Sequence, residues 1–386
     1  MSSRRPIIDQ AEVIVIGLGG VGAFALRALS QIGVDALGLE RFAPGHDRGS
    51  SHGGTRVFRH AYFEHPDYVP LLRFSSDDFG HLEASRGTAL LQRCGCLLLG
   101  PHDGAMIEGA ADAASQHGLA VERLGVEMLR RRYPQFALPR GWAGLHEADA
   151  GFVRPEAAIR AALDEAVDRG ARLRIEQSAA AWRETEGGVE VETAAGLLRC
   201  DRLVVAAGAW TGALLPALRA QLRVTRQIQT WVEADDPESI DCRDLPAWVL
   251  AREEGPALYG IPADPLAPGK PRMKLGLHGR DDPVDPDRVP RSVGRAELEE
   301  LESLRARWLP RLSGPIRAAK VCLYTSSPDA QLIVDRLPGS RRVVLGAGLS
   351  GHGFKLCPAL GRILAELAIR GRSPLPADFL GLSRFG

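Results

Sequence analysis

Four apolar residues, Val13-Ile-Val-Ile16, run directly into Gly17-Leu-Gly19-Gly-Val-Gly22, and then into a stretch of small residues that includes Ala23, Ala25 and Ala28. A second apolar segment ends at Glu40, eighteen residues beyond Gly22. An apolar run of this length suits a strand covered on both faces of a parallel sheet. Gly17 permits the sharp turn, Gly19 lets a pyrophosphate approach the N-terminus of the following helix, and Gly22 allows that helix to pack closely on the strand. Glu40 falls where an acidic side chain can accept from a ribose hydroxyl. The pattern predicts a dinucleotide-binding βαβ unit, and the spacing alone leaves NAD and FAD open.

A second glycine-rich segment lies near the other end of the chain, Gly348-Leu-Ser-Gly-His-Gly-Phe-Lys355. Its Gly348, Gly351 and Gly353 let backbone N–H groups turn toward a ligand, and Lys355 adds a cation beside them. In isolation the segment also suits a tight turn before the helix that follows Pro358. Together with the N-terminal unit it predicts a chain whose two ends close around one nucleotide cofactor.

Length and charge exclude several classes. A chain of 386 residues with 45% hydrophobic content can bury a large core, and two domains are expected. Basic and acidic residues balance at 48 each, so no bulk charge draws the protein to nucleic acid or to an anionic membrane. No run of eighteen apolar residues occurs, and Met1-Ser-Ser-Arg-Arg-Pro6 leads into the first strand without a separate signal-peptide core. The expectation is a cytoplasmic protein. Six cysteines, at 94, 96, 200, 242, 322 and 357, make neither a disulfide framework nor a zinc spacing. Strand alternation would put Cys94 and Cys96 on one face, as buried thiols. Only four residues, 270, 274, 320 and 355, are lysine, so the other 44 cations are arginine. A lysine retained in such a chain points to sites that need a compact ammonium rather than a planar fork, which singles out Lys274 and Lys355.

The order of segments predicts interleaved domains. The polar loop Gly49-Ser-Ser-His-Gly-Gly-Thr-Arg56 and Arg59-His-Ala-Tyr62 read as a ligand contact surface. A helix is expected from Pro155 to Gly170, and strands at Val189–Thr193 and Leu203–Gly208 return the chain to the nucleotide sheet. Segments such as 230–233 and 273–278 alternate, as in an antiparallel sheet, while residues 296–308 read as an exposed amphipathic helix. The expected division is a nucleotide-binding domain from 1–85, 145–221 and 321–386, and a substrate domain from 86–144 and 222–320.

The fingerprint, the loop from Gly49 to Arg56 with Arg59-His-Ala-Tyr62, Tyr259-Gly-Ile-Pro262, Lys274-Leu-Gly-Leu-His278, Cys322-Leu-Tyr324 with Ser327-Pro-Asp329, Gly348 to Lys355, and the closing Leu382-Ser-Arg-Phe385 follow one another along nearly the whole chain. In these motifs the sequence resembles the monomeric sarcosine oxidase and N-methyltryptophan oxidase family, and the last two look closer to the N-methyltryptophan oxidases. The resemblance implies a D-amino-acid-oxidase-like α/β fold: a Rossmann-type FAD-binding domain interleaved with an antiparallel-sheet substrate domain. It further implies a monomeric flavin oxidase of secondary amino acids that uses oxygen and no metal, with FAD held covalently through Cys322.

Residue by residue, the resemblance places Arg59 and Lys355 on the substrate carboxylate, Tyr259, His278 and Tyr324 around the substrate, and Lys274 at the site of oxygen reduction. Arg56 and His52 fall beside the flavin ring, with Arg41, Ser50 and Thr55 also among the cofactor-binding positions. N-methyltryptophan is the leading substrate, with sarcosine and pipecolate next. A flavin dehydrogenase with another acceptor, or a flavin module acting on a tRNA base or within a larger assembly, are the other classes; the balanced charge argues against the tRNA version. The sequence departs from the family at Gly54, where an aspartate is common, at Phe63-Glu-His-Pro-Asp67, and in the proline-containing stretch 263–272, all of which bear on substrate size.

Overall fold

The computed structural model describes residues 6–386; Met1–Arg5, read above as leading straight into the first strand, lies outside them. The strand Ile7–Ile16 pairs in parallel with Ala36–Leu39 on one side and Gly196–Val205 on the other, and Val343–Ala347 extends the parallel set. The helix Gly20–Gln31 buries nearly its whole surface between this sheet and the helices Pro155–Asp168 and Cys357–Arg370. A side chain at Gly22 would bring its Cβ to 1.7 Å from the Gly17 carbonyl oxygen, so only glycine lets this helix start so close to its strand. Helix Pro155–Asp168 starts and stops as expected, with Pro155 in its first turn and Gly170 at φ 97° beyond its end.

A second eight-stranded sheet runs in the order Ile316–Ser326, Arg223–Val232, Met273–His278, Ala257–Ile261, Ala247–Leu250, Cys96–Pro101, Trp142–Glu147, Val121–Gly125. Its neighbours are antiparallel except Ala247–Leu250 and Cys96–Pro101, which pair in parallel, so the sheet is mixed rather than wholly antiparallel. Two strands, Trp142–Glu147 and Ile316–Ser326, run across the limits expected at 145 and 321. Cys96 opens a buried strand, but Gly95 at φ 80° interrupts the alternation, and Cys94 stands outside that strand and is only half-buried.

Alternation with period two builds the site. In Met273-Lys-Leu-Gly-Leu-His278, Met273, Leu275 and Leu277 enter an apolar core with Trp248, Leu258 and Ile228. That core is closed by Leu301 and Trp308 of the helix Arg295–Trp308. Lys274, Gly276 and His278 therefore take the opposite face. Register puts Tyr259 beside Gly276, Gln229 opposite Gly276, and Gln227 opposite Cys322 on that same face. A third, three-stranded sheet carries Arg56–Phe58 at its edge and delivers Arg56 and Arg59 to the space between the two large sheets.

Candidate active site

One elongated cavity runs between the sheets. Its far end is lined by Glu40, Arg41, Trp210 and Asp287, its middle by Gly17, Gly19 and Gly20, and its near end by Arg56, Cys322, Tyr324 and Lys355. Sequence segments more than three hundred residues apart thus meet on one space, as the two glycine-rich motifs predict.

At the middle, the N-terminus of the helix Gly20–Gln31 faces the cavity with its first N–H groups and positive dipole end, a ready site for a pyrophosphate. The space above Gly19 is open: a Cβ there would meet nothing nearer than Ser51 Oγ at 3.8 Å. Ser51 Oγ in turn accepts from Gly20 N at 3.3 Å. Glu40 accepts from Leu18 N at 2.7 Å and from Phe42 N at 2.9 Å, so it braces the glycine turn while still lining the cavity. At the far end Arg41 lies over the rings of Phe42 and Trp210 and pairs with Asp287, which also accepts from Trp210 Nε1. These residues fit a dinucleotide: glycine backbone for the phosphates, and rings with a cation at the adenine end.

At the near end, Ser50 donates to the Leu323 carbonyl. Arg56 donates to the carbonyls of Thr55 and Ser50, to Gln229 Oε1 at 3.3 Å, and to Cys322 Sγ at 3.8 Å. Cys322, 2% exposed, lines the cavity. The Gly348–Lys355 loop closes the same end. Gly351, at φ 82°, sits where a Cβ would fall 2.2 Å from the Tyr324 ring, so the backbone conformation and the contact with the substrate wall both require glycine there.

Tyr259, His278 and Tyr324 line the cavity together, with His278 Nδ1 and Tyr324 Oη 3.1 Å apart. Burial, followed by the charge of His352 and others, pushes His278 down to about 4, so it is a neutral imidazole at physiological pH. Burial raises Tyr259 to about 12, leaving a neutral phenol.

The two cations expected at the substrate carboxylate, Arg59 and Lys355, are both buried, but they differ in state. Arg59 is engaged already: its Nη2 donates to both oxygens of Glu64 at 2.7 Å, its Nη1 to the Ala61 carbonyl, and its guanidinium lies over Tyr62 and Phe63. Burial would raise the Glu64 carboxyl, yet Arg59 outweighs it and brings Glu64 down to about 2. Lys355 has no such partner among the described residues; there its Nζ reaches the His352 carbonyl at 3.2 Å and Tyr62 Oη at 3.5 Å. Burial first, and Arg59 second, pull it down to about 7.

Lys274 and His52 do not form the cavity wall. Lys274, 2% exposed, lies behind the Gly53–Thr55 turn and donates to the Thr55 carbonyl at 2.7 Å. Burial, followed by the charge of Arg56, holds it well below the ordinary lysine range. His52 is buried beside it with neither ring nitrogen partnered, and burial with Arg56 and Lys274 lowers it to about 3. Glu156 accepts from the N–H groups of Gly53 and Gly54, which fixes this turn with a carboxylate from another helix; Gly54 itself lacks the family's aspartate.

Sequence reasoning missed Glu64, Gln229, Ser51 and Glu156. Glu64 lies inside the segment marked as departing from the family, which was the available signal. The 263–272 stretch is tied down where Asp264 pairs with Arg154 at 2.6 Å.

Comparisons with known proteins identify the family. A family profile described as FAD dependent oxidoreductase matches residues 12–367. A monomeric sarcosine oxidase of Streptomyces avermitilis is 34% identical over 372 residues, 95% of each chain. An N-methyl-L-tryptophan oxidase of Salmonella dublin is also 34% identical, over 97% of this chain and 99% of the other. Among solved structures, NikD, described as an unusual amino acid oxidase essential for nikkomycin biosynthesis, superposes with a TM-score of 0.85 at 25% identity, covering 97% of both chains. Glycine oxidase from Geobacillus kaustophilus gives a TM-score of 0.80 at 19% identity, covering 97% of this chain, and so shares the fold. A glycine cradle at a helix N-terminus, joined in one cavity to paired cations and a cysteine, is therefore found in a chain that belongs to the FAD-dependent oxidoreductase family, alongside the sarcosine and N-methyl-L-tryptophan oxidases.

Proposed function

We propose that the protein is an FAD-dependent oxidase of secondary amino acids, with N-methyl-L-tryptophan the leading substrate and sarcosine or pipecolate as alternatives. The observation that carries this reading is the near end of the cavity, where Arg59 and Lys355 converge beside neutral Tyr259, His278 and Tyr324. A forked and a compact cation together suit a carboxylate, and neutral walls leave an amine free to lose its own charge. For the N-methyl substrate the reaction balances as amino acid, oxygen and water giving demethylated amino acid, formaldehyde and hydrogen peroxide. The flavin, when bound, accepts a hydride equivalent from the substrate and passes two electrons to oxygen.

The residues hold and orient. Arg59 must exchange Glu64 for the substrate carboxylate, so binding replaces one buried ion pair with another rather than desolvating a bare guanidinium. Tyr259 and His278 flank the amine, and the apolar Phe63, Val249 and Ile261 supply a wall for a substrate side chain. Lys274, behind the turn, serves the oxygen half-reaction. Cys322 carries the flavin as a thioether. Large exposed apolar residues are scattered at 7, 8, 128, 167 and 266, which suits a monomer. No helix of the described residues is long and apolar enough to cross a membrane.

Two tests arise here. The wild-type protein should stay yellow after acid precipitation, whereas Cys322→Ser should release its FAD into the supernatant; freely extractable wild-type flavin would remove the covalent assignment. The second concerns pH. Lys355 is protonated below about 7 and loses its charge as pH rises through that value. A carboxylate inhibitor without an amine, such as indole-3-acetate, should therefore bind about tenfold more weakly for each pH unit above 7, and Lys355→Met should bind it weakly with no such slope. A Lys355→Met protein that binds the inhibitor as tightly as wild type across pH 6 to 9 would exclude Lys355 from the clamp.

A further inference from the structure

Two buried donor side chains, the Gln229 amide and the Lys274 amine, lie close together beneath the Gly53 turn. Register sets Gln229 opposite Gly276 and Trp231 opposite Lys274, so the Gln229 and Lys274 side chains share a face one step apart on neighbouring strands. Their heads reach the same spot: a Cβ on Gly53 would lie 2.3 Å from Gln229 Oε1 and 3.4 Å from Lys274 Nζ. Gln229, 2% exposed, has its Oε1 held by Arg56 Nη1, which fixes the orientation of the amide. Its buried Nε2 has no partner. Lys274 Nζ makes one hydrogen bond, to Thr55 O; no carboxylate pairs with it among the described residues. Buried donors are almost always satisfied, so an unmet amide N–H beside a lysine that makes a single hydrogen bond marks a place for an acceptor that the described residues do not provide.

We propose that Gln229 Nε2 is a second donor of the oxygen-reducing site, acting with Lys274 Nζ on the negative charge that develops as oxygen is reduced. This rests on the assignment of Lys274 to that half-reaction. An amide suits the position because Arg56 already disfavours the Lys274 ammonium, and a third cation would disfavour it further. The amide neither gains nor loses a proton. The reduced flavin supplies two electrons and one proton, solvent supplies the second proton, and hydrogen peroxide leaves.

Gln229→Leu removes the donor at similar volume, and Gln229→Glu keeps an acceptor for Arg56 while removing the donor. In rapid mixing of the anaerobically reduced proteins with oxygen, both should reoxidise about 10- to 100-fold more slowly than wild type, between the loss of an ordinary neutral hydrogen bond and that of a preorganised oxyanion donor. For Gln229→Leu, the anaerobic reduction rate by N-methyl amino acid should fall far less than the reoxidation rate, although Arg56 loses an acceptor. Reoxidation of Gln229→Leu at the wild-type rate overturns the proposal. So does slowing accompanied by an equal loss of anaerobic reduction, which would make Gln229 a strut for Arg56. If Gln229→Leu fails to bind flavin, Gln229→Glu decides by its reoxidation rate alone. Lys274→Met, measured in parallel, separates the two readings: slow Lys274→Met with normal Gln229→Leu sinks only the Gln229 role, and normal Lys274→Met sinks the lysine assignment beneath it.

Discussion

Replacing Lys274 by methionine should leave a protein that its substrate still bleaches under nitrogen but that air reoxidises about 10²- to 10³-fold more slowly, the usual cost of removing one preorganised electrostatic stabiliser. The site favours this outcome. Lys274 is buried, unpaired with any carboxylate among the described residues, and lies 5.3 Å from the Trp231 ring centroid. Its lowered pKa means that its charge is held at a cost, which is relieved when negative charge appears nearby. Methionine keeps the length and the apolar stem, so a packing defect would not mimic the result. Lys274→Arg should recover only part of the loss, because a planar guanidinium cannot sit under the Gly53 turn as a compact ammonium does. Stopped-flow traces of the reduced variants against oxygen are the measurement, and a wild-type rate for Lys274→Met would make this lysine structural.

Arg59→Ala should weaken binding of an N-methyl amino acid by about 10- to 150-fold, since a carboxylate loses a charge-assisted partner that contributes roughly 1.5–3 kcal/mol. The structure adds a second consequence. Without Arg59, the buried Glu64 loses the guanidinium that keeps its carboxyl near 2, and His352 and Lys355 are left to compensate it. Glu64 would then compete with substrate for the remaining cation. Adding Glu64→Gln to Arg59→Ala should accordingly recover part of the affinity, and Glu64→Gln alone should tighten binding by freeing the Arg59 fork. Substrate titrations of flavin absorbance under nitrogen read all three variants. Unchanged affinity in Arg59→Ala would end its role in the clamp.

What could be read in advance follows how local the physics is. The fingerprint was legible because a strand, a turn that needs glycine and a tightly packed helix are consecutive in sequence. That Lys274, Gly276 and His278 share one face of their strand was legible as alternation, since Leu275 and Leu277 announce the opposite face. Cys322 shows no chemistry in its own neighbourhood; only the motif around it singled it out, and the structure then set Arg56 beside its sulfur. The Arg59–Glu64 fork was not legible, because two residues five apart in a loop can face any direction until the helix Tyr68–Arg86 and the Gly348–Lys355 loop pin that loop down. Gln229 gave no signal at all. An amide in a strand acquires meaning only from the buried groups around it, here Arg56 and Lys274 from two other sheet elements. The parallel pairing of Ala247–Leu250 with Cys96–Pro101 was hidden for the same reason, since it joins segments about 150 residues apart.

Coupled detection of peroxide and formaldehyde during aerobic turnover of N-methyl-L-tryptophan, sarcosine and pipecolate, with no added electron acceptor, tests the central claim most directly. An oxidase of secondary amino acids should turn over at least one of the three, consume oxygen and release peroxide in equal amount, with one formaldehyde for each N-methyl substrate oxidised. Flavin that the amino acids bleach under nitrogen but that yields no peroxide in air would contradict the oxidase assignment in favour of a dehydrogenase. Flavin that none of the three bleaches would contradict the substrate class itself.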